Sequence, residues 1–310
     1  MARLKLLFFG TPEIAVPFLE SVHREHDVLA VVTRPDKPAG RGLELAPPPV
    51  KSAALRLGLP VHQPAGSPSE LTPALKALGA DAALVVAYGK ILKPDLLAAT
   101  RLGFLNMHFS VLPKYRGAAP IQWQLIRGET FTGVTLFWLD EGMDTGKVQA
   151  VGETGIAPND DAAVLAARLT ELGVEVVRRE LASFDAGIKR VPQQGESSLA
   201  PRLSKADAKI RFEDPAREIH NRVRGLRSGP IAYFECKGAP VNLLKTSVES
   251  ADGEGRPGTL VRIAGRDGFL VECGAGKLWV HEVQPQGKRP LPAADFLNGL
   301  RLKPGDRLPN

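Results

Sequence analysis

The chain opens on a short apolar run, residues 4–9 (LKLLFF), that stops at Gly10-Thr11-Pro12. Its length and its glycine–proline boundary predict a buried strand, with a helix starting near Pro12. Residues 27–33 (DVLAVVT) repeat the pattern. Residues 82–87 (AALVVA) are continuously apolar, as expected of a strand covered on both faces. Residues 104–108 (FLNMH), 133–139 (GVTLFWL) and 147–152 predict further strands. Helical patterns lie between them at 50–57, 67–78, 92–99 and 118–127. A longer helix follows Asn159 and Asp160, either of which can cap it, with Leu165, Leu169, Leu172 and Val176 at helical spacing. Strand and helix alternate to about residue 185, so the fold class is α/β, with a doubly wound, mostly parallel, Rossmann-like sheet.

Two stretches break this grammar. Residues 34–49 (RPDKPAGRGLELAPPP) hold too much proline and glycine for a regular element. A loop that long inside a compact domain is often functional. Periodicity then fades from about residue 186, and residues 189–208 read as a linker between a first domain (1–188) and a second (209–310). The second begins with a helix at 215–226 and continues as short alternating runs at 231–235, 241–247, 259–263, 269–273 and 277–283. Gly-rich turns separate them, and a helix at 293–300 ends the series. This pattern predicts a small β-barrel or sandwich.

Composition narrows the class. The 310 residues are 44% hydrophobic and 24% charged, ordinary for a soluble enzyme with room for two domains. The best apolar run, residues 82–89, is too short to span a bilayer, so no membrane role is expected. The apolar start ends at Thr11-Pro12-Glu13 without a small-residue cleavage site and is read as a strand, not a signal peptide. Cys236 and Cys273 have no metal-ligand spacing, which suits buried thiols in a reducing compartment and gives a cytoplasmic location by default. The net charge is +6. Residues 1–208 carry 23 Lys and Arg against 22 Asp and Glu, and residues 209–310 carry 17 against 12. The excess sits in the second domain and favours a polyanionic partner there.

The candidate chemistry lies at the end of the 104–108 strand. Asn106 and His108 are two residues apart, so both side chains leave the same face. Ligands of open α/β sheets gather at the carboxyl ends of strands. The next strand runs into LDEGMDTGK, a loop that offers Asp140, Glu141 and Asp144, expected at the same edge. An amide, an imidazole and a carboxylate suit acyl-group transfer. The amide donates to an oxyanion. The imidazole moves a proton or helps hold that oxygen. The carboxylate orients and charges the imidazole, or accepts the attacking amine's proton. Ser110 is a weaker nucleophile candidate, because no G-x-S-x-G elbow exposes it. GMDTGK is one residue short of a phosphate loop. The other histidines and the cysteines form no ligand cluster, so no metal is expected.

The segments FFGTPEIAVPFL, VVTRPDKPAGRG, VVAYGKIL, NMHFSVLPKYRGAAPIQW and GMDTGKV, in this order, resemble the folate-dependent formyltransferase family. The resemblance continues through PRLSKADAKIRF and APVNLLKTSV, and so covers nearly the whole chain. The GRG loop and the added C-terminal domain are similar to the members that act on tRNA. The resemblance implies transfer of a formyl group from N10-formyltetrahydrofolate to the amino group of methionine on initiator methionyl-tRNA, in translation initiation, a reaction that needs no metal; separately, a monomer is expected. It implies a catalytic set of Asn106, His108 and Asp144. Ser110, Val111, Leu112 and Pro113 would line the folate site, with the backbone of Val86, Ala87, Tyr88, Gly89 and Ile91. Arg41 and Lys37 would meet the tRNA, and the C-terminal domain would be OB-like with a basic surface. A small amine acceptor, hydrolytic release of formate and a purely RNA-binding role are the competing readings. Phe109, Leu43-Glu44 and Arg227-Ser228-Gly229-Pro230 depart from the family's usual residues.

Overall fold

The computed structural model describes residues 3–39, 44–184, 187–250, 252–253 and 255–309. The chain divides into two compact units: Met1–Pro120 with Phe131–Gly155 and Ala166–Pro201, and Ile121–Thr130 with Ile156–Leu165 and Arg202–Asn310.

In chain order the first part holds β1 (Lys5–Gly10), α1 (Val16–Glu25), β2 (Asp27–Val32), β3 (Lys37–Ala39), β4 (Glu44–Ala46), α2 (Pro49–Arg56) and β5 (Val61–His62). There follow α3 (Thr72–Ala77), β6 (Ala82–Val86), α4 (Pro94–Leu97), β7 (Phe104–His108), α5 (Pro120–Ile126), β8 (Phe131–Trp138), β9 (Val148–Gly155) and α6 (Ala162–Ala182). The main sheet has the order β5-β2-β1-β6-β7-β8-β9. It is parallel from β5 to β7, while β8 and β9 are antiparallel. The chain winds outward from β1 in one direction and restarts from β6 in the other. The carboxyl ends of β1, β6 and β7 therefore frame the switch point where such sheets bind ligands.

Burial follows the pattern read from the sequence. All five residues of β6 are buried. Met107 of β7 lies on the face covered by α1 and α6. A Cβ on Gly173 of α6 would sit 2.8 Å from the Phe18 ring and 3.4 Å from Met107 Sδ, so only glycine lets the helix come so close. Phe109 shares that face and packs edge-on against Phe18, with ring centroids 6.3 Å apart. Its departure from the family pattern is thus absorbed in the core, away from His108.

Local chemistry adjusts several elements. The helix expected at 67–78 is broken by Pro73 into a 3-10 turn (Pro68–Leu71) and α3. The helix expected at 92–99 shrinks to the single turn of α4. α6 is capped by Asp161, whose Oδ1 accepts from the Ala163 and Val164 amides, and not by Asn159 or Asp160. The irregular segment 34–49 contains a three-residue antiparallel ladder between β3 and β4. Its base is tied down by Asp36, which accepts from Lys51 and Gln63.

The second unit holds α7 (Lys205–Ala208), α8 (Ala216–Gly225), β10 (Tyr233–Cys236), β11 (Ala239–Ser250), β12 (Leu260–Ile263), β13 (Phe269–Glu272), β14 (Lys277–Pro285), β15 (Leu291–Pro292) and α9 (Ala293–Leu300). Its sheet is antiparallel, in the order β10-β11-β14-β13-β12, with β15 paired to β14. The long β11 carries several register shifts, which bend a strand and help a small sheet curl into a barrel. Ile219 and Val223 of α8 join Phe234, Leu243, Phe269 and Val280 in its apolar core. No helix among the described residues is long and apolar enough to cross a membrane.

Candidate active site

His108 ends β7 and is 5% exposed. Its ring lies edge-on to Phe137, with centroids 6.4 Å apart. Nε2 donates to the Tyr115 carbonyl at 2.8 Å. A carbonyl only accepts, so this bond fixes the tautomer and leaves Nδ1 with its lone pair. Nδ1 faces Asp144 Oδ2 at 3.7 Å. Burial pushes the imidazole below its ordinary value of 6.5, against the opposing pull of Asp144 and of the Tyr115 bond. The resting site at neutral pH is therefore a neutral ring whose basic nitrogen confronts a carboxylate. Two acceptors facing each other have room for one proton, and the carboxylate stabilises the ring that takes it.

Asn106 lies on the same face of β7, half-buried, and its amide has no hydrogen-bond partner among the described residues. The ladder sets it opposite Phe137 of β8 and Val85 of β6. An unused amide beside the proton-accepting ring suits donation to a developing oxyanion.

Asp144 arrives by an unexpected route. Because β8 is antiparallel to β7, Trp138 pairs with Leu105 and Leu139 N donates to Phe104 O. The loop after β8 thus leaves from the start of β7, not from the edge where His108 ends, as the sequence reading had it. It must run back over the face of the strand, about 3.3 Å per residue, to bring Asp144 to His108. Several groups hold it there. Asp144 has φ +55°, a left-handed conformation that Asp tolerates better than most residues. Its Oδ2 accepts from Gly117 N at 2.8 Å. Gln193 Nε2 donates to the carbonyls of Asp144 and Gly146, at 2.8 and 2.9 Å. Arg116 donates to Gln193 Oε1 at 2.6 Å. Gly146 is obligatory, since a Cβ there would lie 1.7 Å from Trp138 O. Asp140 is used within the loop, accepting from Gly142 N and Thr145 Oγ1.

Sequence reasoning missed Gln193, Arg116 and Tyr115. Gln193 stands in the aperiodic stretch beside a second glutamine, Gln194, so nothing in the sequence marked it. Arg116 and Leu199 form an isolated bridge, and Tyr115 N donates to Ser198 Oγ. The stretch that carries Gln193 and Ser198 is therefore bonded to the catalytic strand's own loop.

The folate candidates divide by exposure. Ala87 and Gly89 are exposed at positive φ, and Ile91 is 87% exposed. Val86, Tyr88, Ser110, Leu112 and Pro113 are buried, and Val111 is half-buried. The Thr11 hydroxyl donates to Tyr88 O and ties this turn to the end of β1. The Tyr88 hydroxyl is buried without a hydrogen-bond partner among the described residues, and burial raises its pKa to about 12. Val86 pairs with Met107, so the turn starts beside the Asn106 and His108 strand. Ser110 Oγ donates to Lys114 O, and Thr135 Oγ1 joins Ser110 O to Leu112 N. Such a hydroxyl braces a loop, and nothing here activates it as a nucleophile. Lys37 is exposed on β3. Arg41, with Gly40, Gly42 and Leu43, lies outside the described residues.

Residues 3–181 match the formyl transferase family, and residues 202–301 match the formyl transferase C-terminal domain. The chain belongs to the formyl transferase family. Among similar proteins, the methionyl-tRNA formyltransferase of Sorangium cellulosum is 47% identical over 97% of this chain and 98% of its own. A methionyl-tRNA formyltransferase of Thermus thermophilus is 43% identical over 98% and 99%. Solved structures share the formyl transferase fold at lower identity. The N-formyltransferase of Helicobacter canadensis, in complex with folinic acid and dTDP-3-aminofucose, has TM-score 0.69 and 21% identity over 91% of this chain and 99% of its own. HypX of Aquifex aeolicus, in complex with tetrahydrofolic acid, has TM-score 0.66 and 20% identity over 98% of this chain and 49% of its own.

Proposed function

We propose that this formyl transferase moves the formyl group of N10-formyltetrahydrofolate to the amino group of methionine on initiator methionyl-tRNA, for translation initiation. The observation that carries the reading is the His108–Asp144 pair, with the unpartnered Asn106 amide on the same strand face. The whole-length similarity to methionyl-tRNA formyltransferases supports the acceptor. The folate supplies an activated one-carbon carbonyl. The chain's own residues do the rest. Asn106 donates to the carbonyl oxygen as negative charge develops there. His108 Nδ1 takes the proton of the attacking amine, and Asp144 holds the resulting imidazolium. This chemistry calls for neither a covalent enzyme intermediate nor a metal.

The exposed turn at Ala87, Gly89 and Ile91 fits a folate, with bared backbone groups beside an apolar side chain. Val86 and Tyr88 shape that turn from below, and Ser110 to Pro113 form the neighbouring wall. Arg41 and Lys37 extend to the tRNA. Residues 1–188 act as the transfer domain and 209–310 as an OB-like tRNA-binding domain. Segment 189–208 joins them and braces the Asp144 loop through Gln193. The protein works in the cytoplasm as a monomer.

The test is incubation with formyltetrahydrofolate and initiator tRNA, charged or uncharged. Formylmethionine formed only on charged tRNA supports the reading. Formate released at the same rate without tRNA would make the protein a hydrolase. Transfer to a small amine but not to charged tRNA would reassign the acceptor.

A further inference from the structure

The second unit carries a cavity of about 420 Å³ that formyl transfer does not use. Residues of α8, β11 and β14 wall it, together with the turn before α6. Its charge is cationic. Among the described residues, Arg224, Arg227 and Lys245 face it against a single carboxylate, Asp161. That carboxylate is already engaged. Oδ1 caps α6, and Oδ2 lies 3.9 Å from Arg227 Nε. Arg224 is held in place by bonds to Asn221 and to the Ala157 and Asp160 carbonyls. Lys245 is exposed and has no ion-pair partner among the described residues.

Two imidazole–hydroxyl pairs share the wall. His220 Nε2 lies 3.3 Å from Pro158 O, and Nδ1 lies 3.0 Å from Thr246 Oγ1. His281 Nδ1 lies 2.7 Å from Asp267 O, and Nε2 lies 2.8 Å from Ser247 Oγ. Each carbonyl demands the ring proton on its own side, so each hydroxyl donates to the other nitrogen. In this state both hydroxyl protons are turned toward the rings. Protonating a ring reverses the bond: the imidazolium donates to the hydroxyl oxygen, and the hydroxyl proton is freed for another acceptor.

We propose that this cavity is an oxyanion site that takes a phosphate group, with Arg227 and Lys245 as its charge and the Ser247 and Thr246 hydroxyls as reversible donors. The planar guanidinium matches a phosphate's paired oxygens. The volume admits a phosphate with its sugar, within the ordinary range of small-ligand pockets. Because the hydroxyls turn outward only when the rings are charged, anion binding draws in protons and strengthens as pH falls. The groups around His220 are Arg217 and Arg224 on α8, Thr246 on β11, Pro158 O and His281. Around His281 they are Ser247, Asp267 and the stacked Trp279. The charged groups beside His220 are cations, so a bound anion is the counter-charge that permits its protonation. The anion site stands on the second unit alone, and only the assignment of its phosphate to RNA rests on the formyl-transfer reading.

Sulfate is the first probe, because it does not itself titrate near neutrality. The full chain is titrated with sulfate and then with inorganic phosphate at constant ionic strength, following the imidazole NMR signals. Saturable shifts of His220 and His281, larger at acid than at alkaline pH, are expected. The double substitution Arg227→Gln and Lys245→Gln, at exposed positions, weakens binding about tenfold or more. Ser247→Ala reduces the pH dependence. Absence of saturable shifts, or equal binding by the double variant, overturns the proposal. The source of the phosphate is read from the same variant. A raised KM for tRNA at unchanged kcat assigns it to the RNA backbone, and an unchanged KM assigns it to a free phosphate ester.

Discussion

Both units keep buried histidines whose tautomers are set by backbone carbonyls, yet the rings have opposite surroundings. His108 gives its Nε2 proton to Tyr115 O and turns Nδ1 toward Asp144. His220 gives its Nε2 proton to Pro158 O and turns Nδ1 toward Thr246, with Arg217 and Arg224 nearby. Burial lowers both pKa values. Asp144 pulls His108 back up, whereas the two arginines push His220 further down. The carbonyl only fixes which nitrogen is available. The neighbour decides whether that nitrogen is a useful base. A carboxylate makes proton uptake tolerable during a reaction, and nearby cations oppose it.

The sharpest way to break this contrast is to remove the reacting groups. His108→Ala is expected to cut single-turnover formyl transfer by about 10²–10⁴-fold. Asn106→Ala costs about 10²–10³-fold. Asn106→Ala should keep the wild-type melting profile, whereas His108→Ala empties a buried position and loses the bond to Tyr115 O, so its rate is compared at a temperature where it remains folded; turnover within a few-fold of wild type in either would remove the mechanism. Asp144→Asn is next. It slows transfer, and because Asp144 raises the His108 pKa, its loss moves the acid limb of the pH–rate profile to lower pH. An acid limb displaced upward would show that Asp144 is not the partner of His108. Gln193→Ala loosens the Asp144 loop and costs about 1–2 kcal/mol of stability, with kcat falling more than KM rises. Loss of stability with kcat intact would confine Gln193 to folding.

The smallest effect is on stability against pH. His108 and His220 both have folded pKa values below the unfolded 6.5. The native state then binds fewer protons, so this stability is present above 6.5 and is lost as pH falls through 6.5 toward the folded values. The melting temperature should drop across that window, and His220→Gln should flatten part of the drop. A melting temperature that rises on acidification would contradict the burial of neutral rings.

Much of the first unit was legible because its strands are buried on both faces. Burial of that kind leaves continuous apolar runs, and an amide and an imidazole stand out within FLNMH. The direction of β8 was not legible, since an apolar run looks the same whichever way it points. That is why the loop bearing Asp144 was expected to leave from the carboxyl end of β7, whereas it leaves from the other end and returns to His108. Gln193 was hidden for a related reason: a side chain that bonds to backbone carbonyls far along the chain leaves no periodic trace. In the second unit, alternation and glycine turns announced a small antiparallel sheet. The pairing of His220 with Thr246 and of His281 with Ser247 joins residues 26 and 34 positions apart, and no spacing rule predicts it.

Local order along the chain determined the strands, most of the helices and the shared face of Asn106 and His108, because side-chain direction repeats every two residues in a strand. Tertiary structure decided which nitrogen of each histidine is free, how Asp144 comes back to His108, and which cations gather around the second unit's cavity. Hydrogen-bond partners and electrostatic neighbours depend on distances through space, and distance through space is set only when the sheet has closed its register.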